Sequence, residues 1–228
     1  MDRDSAAKQK VAEAAIELVE DGSVIGVGSG STVAHFIEEL RKSGKKVQAV
    51  PTSLDTLFRL ASAGVPVTTL HHVGMLDVCF DGADQVDPWF NMIKGGGGAL
   101  TMEKLVAYSA RRMVVLVDSS KLVERLGGGV PVPLELIPNA FPLVSRELGD
   151  EAKVEFRVAK GKLQPVISDN GLALADVWFK NGVAEPKLME KKLKLLTGVI
   201  ESGLFCRTDD VLVLASDGGK VWSPRRRV

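Results

Sequence analysis

The stretch that decides the fold is Asp81-Gly-Ala-Asp84-Gln-Val-Asp87-Pro88, then Ile93-Lys94-Gly-Gly-Gly-Gly98, then Ala99-Leu-Thr-Met-Glu103-Lys104. An apolar run, Leu76 to Phe80, leads into it, and a periodic apolar segment, Ala99 to Ala110, leads out. The first reads as a strand and the second as a helix, so the residues between them stand at a strand end. Carboxylates, an ammonium and four successive glycines are collected there. Ordering glycine costs more backbone freedom than ordering any other residue, so four in a row are a costly way to turn a corner. They point to backbone N–H groups offered to an anion.

Upstream, Val11, Ala14, Ala15, Leu18 and Val19 mark one face of an opening helix that stops at Asp21-Gly22. Val24 to Val27 is a short buried strand, and Gly28-Ser29-Gly30-Ser31-Thr32 follows it. Val33, Phe36, Ile37 and Leu40 then recur at helical spacing, so this small-residue turn opens a helix. A strand, a small-residue loop and a helix N-terminus make a seat for a phosphate. Val47 to Val50 is the next strand; Thr52-Ser53 caps a helix with Leu54, Leu57, Leu60 and Ala61 inward. Val65 to Leu70, Leu76 to Phe80 and Val114 to Val117 are further strands. Strands alternating with helices predict an α/β fold, a mostly parallel sheet covered on both faces.

Beyond Gly127-Gly-Gly129 the pattern changes. Val130 to Pro138 is a Pro-edged strand, Phe141 to Leu148 a short helix and Lys153 to Val158 a strand. Gln164 to Ser168 and Leu172 to Phe179 flank Asp169-Asn170-Gly171, a hairpin signal. Lys187 to Leu196 is a cationic amphipathic helix and Gly198 to Cys206 a strand. This predicts a second, smaller α+β domain over 131–204, inserted in a larger one made of 1–130 and 205–228, to which Val211 to Ala215 and Val221-Trp222 return.

Composition narrows the function. The 228 residues are 45% hydrophobic and 25% charged, and Lys plus Arg balance Asp plus Glu at zero net charge. That gives no case for nucleic acid or an anionic membrane as partner, and Arg225-Arg-Arg227 reads as a solvated tail. No run approaches the roughly 20 apolar residues of a membrane span. The start, Met-Asp-Arg-Asp-Ser, lacks a secretory core, so a cytoplasmic setting is expected, with a plastid one open if a transit peptide has been removed. Cys79 and Cys206 sit in apolar segments and read as buried thiols. They and His35, His71 and His72 lack ligand spacing for zinc.

Gly26-Val-Gly28-Ser-Gly30-Ser31 misses the dinucleotide fingerprint because Ser31 stands at its third glycine, and no P-loop motif occurs. Taken alone, Asp81 and Asp84 read as caps or turn formers, Glu103 as a surface residue of its helix and Asp118-Ser-Ser-Lys121 as a loop ion pair. Taken together, Asp81, Lys94 and Glu103 are equipped for proton transfer with stabilisation of an oxyanion.

These residues carry a resemblance. Gly28 to Thr32, Thr52 to Thr56, Asp81 to Asp87, Lys94 to Leu100 with Glu103-Lys104, Asp118 to Lys121, Pro131 to Pro138 and Asp169 to Gly171 resemble the blocks of the ribose-5-phosphate isomerases of A type, in family order along nearly the whole chain. Departures are Ser29 for a frequent Thr, Gln85 for Glu, Met102 for Arg and Ser119 for Glu or Ala. The resemblance implies a Rossmann-like sheet with a smaller ferredoxin-like domain, and a homo-oligomer, dimer or tetramer. It also implies a metal-free, cofactor-free aldose–ketose isomerase acting through an enediolate. It implies Glu103 as the base, Asp81 moving protons among sugar oxygens with Asp84 positioning it, and Lys94 with the N–H groups of Gly95, Gly96 and Gly97 on the enediolate oxygen. It implies further that Gly82 and Ala83 line the sugar and that Ser29, Gly30, Ser31 and Thr32, with Lys121, hold the phosphate. Two other classes compete: a sugar-phosphate sensor, expected to carry a helix-turn-helix and a basic face, and an acyl or CoA transferase with Glu103 as nucleophile.

Overall fold

A computed structural model describes residues 3–159, 161 and 164–227. In chain order the elements are α1 (Arg3–Ile16), β1 (Val24–Val27), α2 (Ser31–Ser43), β2 (Gln48–Pro51), α3 (Leu54–Ser62), the single turn α4 (Leu70–Val73), β3 (Val78–Asp81), β4 (Gln85–Val86), β5 (Met92–Ile93) and α5 (Leu100–Tyr108). There follow β6 (Met113–Asp118), β7 (Val132–Leu136), α6 (Phe141–Leu148), β8 (Ala152–Phe156), β9 (Ala173–Phe179), α7 (Pro186–Leu195), β10 (Val199–Ser202), β11 (Leu204–Phe205), β12 (Val211–Ser216) and β13 (Val221–Trp222). The chain divides into two compact units: 1–83, 102–122 and 208–228 in one, 84–101 and 123–207 in the other. The partition differs from the sequence expectation chiefly at 84–101, the glycine-rich segment, which belongs to the second unit.

The first unit is built on a six-stranded sheet in the order β13-β12-β6-β3-β1-β2. Every pair is parallel except β12 with β13, so the returning strand Val211–Ser216 lies against β6 as a parallel neighbour. Alternate residues face opposite sides of a sheet. Ile25, Val27, Phe80, Val114 and Leu116 face one layer, where they join Val11, Ala15, Val33, Phe36 and Leu40 of α1 and α2, and Phe36 stacks on Phe80 at 4.6 Å. Gly26 faces the other layer: a Cβ there would stand 2.5 Å from Val106 Cγ1 of α5. Its absence lets that helix lie close on the sheet. The expected strand at Val65 to Leu70 is reduced to one bridge, Ala49 to Val67, followed by the turn α4.

The second unit holds a four-stranded antiparallel sheet, β10-β7-β9-β8, and a three-stranded one, β11-β5-β4. Val144 and Leu148 of α6 and Leu193 of α7 are buried with Leu134, Leu136, Ala175 and Val177 of the larger sheet. Pro133 sits in an interior strand, where a proline is rare because it cannot donate to the ladder. Its carbonyl accepts Gly203 N–H at 2.7 Å, just past the end of β10, so its missing donor falls where the neighbouring strand has already ended. The expected strand from Gly198 to Cys206 is thereby broken at Gly203 into β10 and β11. A Cβ at Gly203 would collide with the Lys94 carbonyl. The turn at Asp169-Asn170-Gly171 closes as expected, with Ser168 N–H on Leu172 O at 2.8 Å. Its first arm adds only the bridges Val158 to Pro165 and Ile167 to Ala173.

Candidate active site

In the first unit the chemistry-bearing residues gather at the C-terminal ends of three adjacent strands, β1, β3 and β6. Asp81 ends β3 and is fully buried. Its Oδ1 accepts the N–H of Ser29 at 3.1 Å and of Gly82 at 2.7 Å. The carboxylate lies under Gly28, where a Cβ would land on it. Three glycines of β1 and the turn after it therefore have three separate reasons: Gly26 admits α5, Gly28 admits Asp81, and Gly30 takes φ 99°, ψ −178°, a region nearly closed to other residues.

Ser29 is turned inward. Its hydroxyl lies 2.8 Å from Thr52 Oγ1 and donates to Ser53 Oγ at 3.0 Å, and Thr56 Oγ1 donates to Gly28 O at 2.6 Å. With its N–H on Asp81 and its hydroxyl in this cluster, Ser29 braces Asp81 and the turn. Thr52 and Thr56 are each 1% exposed; the cap expected at Thr52-Ser53 is made by Ser53, whose side chain accepts Thr56 N–H at 3.1 Å. Gly30, Ser31 and Thr32 open α2, a helix of 13 residues whose N-cap has no side-chain hydrogen bond. Its first N–H groups are available to an anion. Lys121 lies in the single turn 119–121 after β6, a turn capped by Asp118 on Ser120 N–H at 2.9 Å. Glu103 is in the first turn of α5 and 3% exposed, and Lys104 is 5% exposed. The surface reading of Glu103 is thus overturned: α5 lies on the sheet and takes that face of the helix out of water.

In the second unit β5 runs into the glycine loop. Lys94 is 2% exposed, its N–H is held by Gly203 O at 2.9 Å, and its Nζ lies over the Phe205 ring, 5.3 Å from the centroid. A cation over an aromatic face is attracted by the negative face of the ring. Gly95 and Gly98 both take φ 90°, and Gly98 N–H closes the turn on Gly95 O at 2.9 Å. Asp84 Oδ2 accepts Gly96 N–H at 2.8 Å. That amide is committed to Asp84, so of the three N–H groups expected to hold an oxyanion, those of Gly95 and Gly97 remain.

Two residues of the opening stretch serve the loops. Asp87, 5% exposed, accepts the N–H groups of Trp89 and Asn91 at 2.9 and 2.8 Å and Asn91 Nδ2 at 2.8 Å. Burial raises its carboxyl above the ordinary value, against the pull of those bonds. Gln85 clamps the later glycine loop, donating Nε2 to Gly128 O at 3.0 Å and accepting Gly127 N–H at 2.7 Å. Among the described residues no three His, Cys, Asp or Glu side chains converge to hold a metal ion, and no helix is long and apolar enough to cross a membrane.

Comparison with known proteins bears on this geometry. The family model described as ribose 5-phosphate isomerase A (phosphoriboisomerase A) matches residues 48–219. A second, described as the DeoR C terminal sensor domain, matches residues 3–74. Ribose-5-phosphate isomerase A of Synechococcus sp. (strain WH7803) is 43% identical over 224 residues, covering 93% of this chain and 92% of that protein. The protein of the same name from Thermococcus kodakarensis is 42% identical over 218 residues, covering 93% and 95%. Among solved structures, ribose 5-phosphate isomerase A from Methanocaldococcus jannaschii superposes with a TM-score of 0.90 at 39% identity, covering 96% of this chain and 98% of that one. A D-ribose-5-phosphate isomerase solved in complex with phospho-erythronic acid superposes with a TM-score of 0.88 at 40% identity, covering 96% and 97%.

Proposed function

The chain belongs to the ribose 5-phosphate isomerase A family, an aldose–ketose isomerase family, and on that premise we propose how its own residues interconvert ribose 5-phosphate and ribulose 5-phosphate. Glu103 takes the proton from C2 of the open-chain aldose. The C–H electrons form the C1–C2 double bond, and the carbonyl oxygen becomes an alkoxide, giving an enediolate. Lys94 and the amides of Gly95 and Gly97 stabilise that oxygen. Asp81, positioned with Asp84, carries the hydroxyl proton between O2 and O1, and Glu103 returns its proton to C1. Electrons and protons are conserved, so no external oxidant or reductant enters. The helix start at Gly30 to Thr32, with Lys121, holds the phosphate.

One observation carries the reading: a single short segment keeps Asp81, Lys94, Glu103 and Lys104 at 0, 2, 3 and 5% exposure. Ionisable groups are almost never buried so completely unless paired or put to use, and such groups cluster at functional sites. Preorganised donors on a developing oxyanion are worth about 3–4 kcal/mol each, on the order of a hundred- to thousandfold in rate. The bound phospho-erythronic acid of the related structure, a phosphorylated acid, supports a sugar phosphate as ligand. The sensor-domain match ends at residue 74, before Asp81, so a sensing role alone leaves these buried groups unused. Leu54, expected inward, is exposed together with Phe58 one turn on in α3, and this apolar pair supports association of identical chains. Neither cysteine forms a disulfide, in keeping with a reducing compartment.

Glu103→Gln keeps the shape and removes the basicity. Isomerisation of ribose 5-phosphate, assayed in EDTA, should lose at least about a hundredfold in kcat with KM little changed. Wild-type turnover in that variant would sink the assignment of the base.

A further inference from the structure

The glycine loop has an anchor that the reaction scheme leaves unused. Arg157 follows β8, and Asp176 lies in β9. Arg157 Nε donates to Asp176 Oδ2 at 3.0 Å and Nη2 to Oδ1 at 2.5 Å, while Nη1 donates to Gly95 O at 3.1 Å and Gly96 O at 3.0 Å. Both side chains are withdrawn from water, at 17 and 16% exposure.

A carboxylate gripping two N–H groups along one edge of a guanidinium fixes its plane, and with the plane goes the direction of the remaining nitrogen. That nitrogen holds two successive carbonyls. In a trans peptide the C=O of one residue and the N–H of the next point opposite ways. Holding Gly95 O therefore aims the Gly96 N–H away from Arg157, and there Asp84 Oδ2 receives it. Holding Gly96 O aims the Gly97 N–H away from Arg157 as well. Gly97 is exposed, a Cβ on it would meet open space, and among the described residues its N–H has no partner.

We propose that Arg157, held flat by Asp176, is a positioning residue that sets the amide direction of the Gly95–Gly98 loop and presents the Gly97 N–H to the enediolate oxygen. This rests on the isomerase reading of the loop. Arg157 touches no reacting atom in this scheme; it acts through the two carbonyls. A lysine in its place would carry the charge without the plane.

The test compares Arg157→Met, Arg157→Lys and Asp176→Asn with the wild type in kcat, KM, melting temperature and the amide resonances of Gly96 and Gly97. Arg157→Met should lose kcat on the order of a hundredfold, the cost of misplacing a catalytic group by about 1 Å. KM for ribose 5-phosphate should move little, and affinity for phospho-erythronic acid should fall with kcat. The two amide resonances should shift, Arg157→Lys should not rescue the rate, and Asp176→Asn should show a smaller loss of the same kind. If Arg157→Met does not fold, Asp176→Asn, which keeps the shape of the site, carries the test alone. Wild-type kcat in folded variants, or a loss confined to KM with both resonances in place, would overturn the inference. A wild-type protein that does not isomerise ribose 5-phosphate would instead remove the isomerase reading, and the resonances would still report whether Arg157 sets the loop.

Discussion

The turn at Gly28–Thr32 and the loop at Gly95–Gly98 both offer backbone amides at a strand end, and they are held in different ways. The turn is continuous with a 13-residue helix, so the direction of its N–H groups is set by the helix that begins there. The loop has no such axis. Its direction comes from outside: Asp84 on one amide, Arg157 on two carbonyls, and the packing of Leu100 and Leu174 against Gly95 and Gly98. An anion site on a helix start is robust because local structure builds it. One on a bare loop is only as well directed as the side chains that clamp it.

That contrast is most exposed at Gly95 and Gly97. Gly95 has φ 90°, and a Cβ would stand 2.5 Å from Leu100 Cβ, whereas Gly97 has open space and no positive φ. Gly95→Ala should cost at least about 1–3 kcal/mol of stability, the range for a strained backbone position. Its kcat should fall on the order of a hundredfold as the amides turn away. Gly97→Ala should leave the melting temperature in place, because its Cβ would meet open space, and should reduce turnover by crowding the approach of substrate to the Gly97 N–H. Unchanged turnover in Gly97→Ala would show that its N–H meets no substrate, and the loop would be structure only.

The same contrast explains what could be read from the residues alone. The helix start was legible because a strand, five small residues and a helical repeat are contiguous from Val24 to Leu40. Four glycines in a row suggest amides offered to an anion, and say nothing of the direction those amides take. Arg157 and Asp176 lie some 60 to 80 residues downstream of the loop in the chain, one just past the end of β8 and one within β9, and no local signal ties them to Gly95. Glu103 misled in the other direction: its burial depends on α5 lying against Gly26, a contact across more than 75 positions of sequence. Val65 to Leu70 has the composition of a strand, yet after one bridge the backbone turns into α4.

If the turn is the phosphate seat and the loop is not, the two should separate kinetically. Thr32→Val and Lys121→Ala each remove one donor to a dianion, and hydrogen bonds to charged groups contribute about 1.5–3 kcal/mol, or at least about tenfold in KM. The rise should appear with ribose 5-phosphate and be much smaller with free ribose, while kcat at saturation stays near wild type. Equal damage toward both sugars would mean that these residues support the fold rather than the phosphate.

A third glycine loop, Gly127 to Gly129, sharpens the comparison with the smallest expected effect. A single side chain, Gln85, clamps it from both sides, giving one N–H to Gly128 O and receiving one from Gly127. Gln85 is 4% exposed, and an amide suits the place because it is donor and acceptor at once. A glutamate there can receive from Gly127 but can donate to Gly128 only while protonated. Gln85→Glu should therefore have its carboxyl pKa raised in the folded state. A raised carboxyl pKa favours folding below the unfolded value and loses that contribution as pH rises through the folded value. The variant should match wild type near about pH 4, where a carboxyl of ordinary pKa is largely protonated. By about pH 8 it should be less stable by about 1 kcal/mol, the cost of one buried acceptor facing another. Denaturant melts across that range would show the divergence. A constant gap at all pH values would mean that the introduced carboxylate finds another donor and that the loop needs no clamp on its carbonyl.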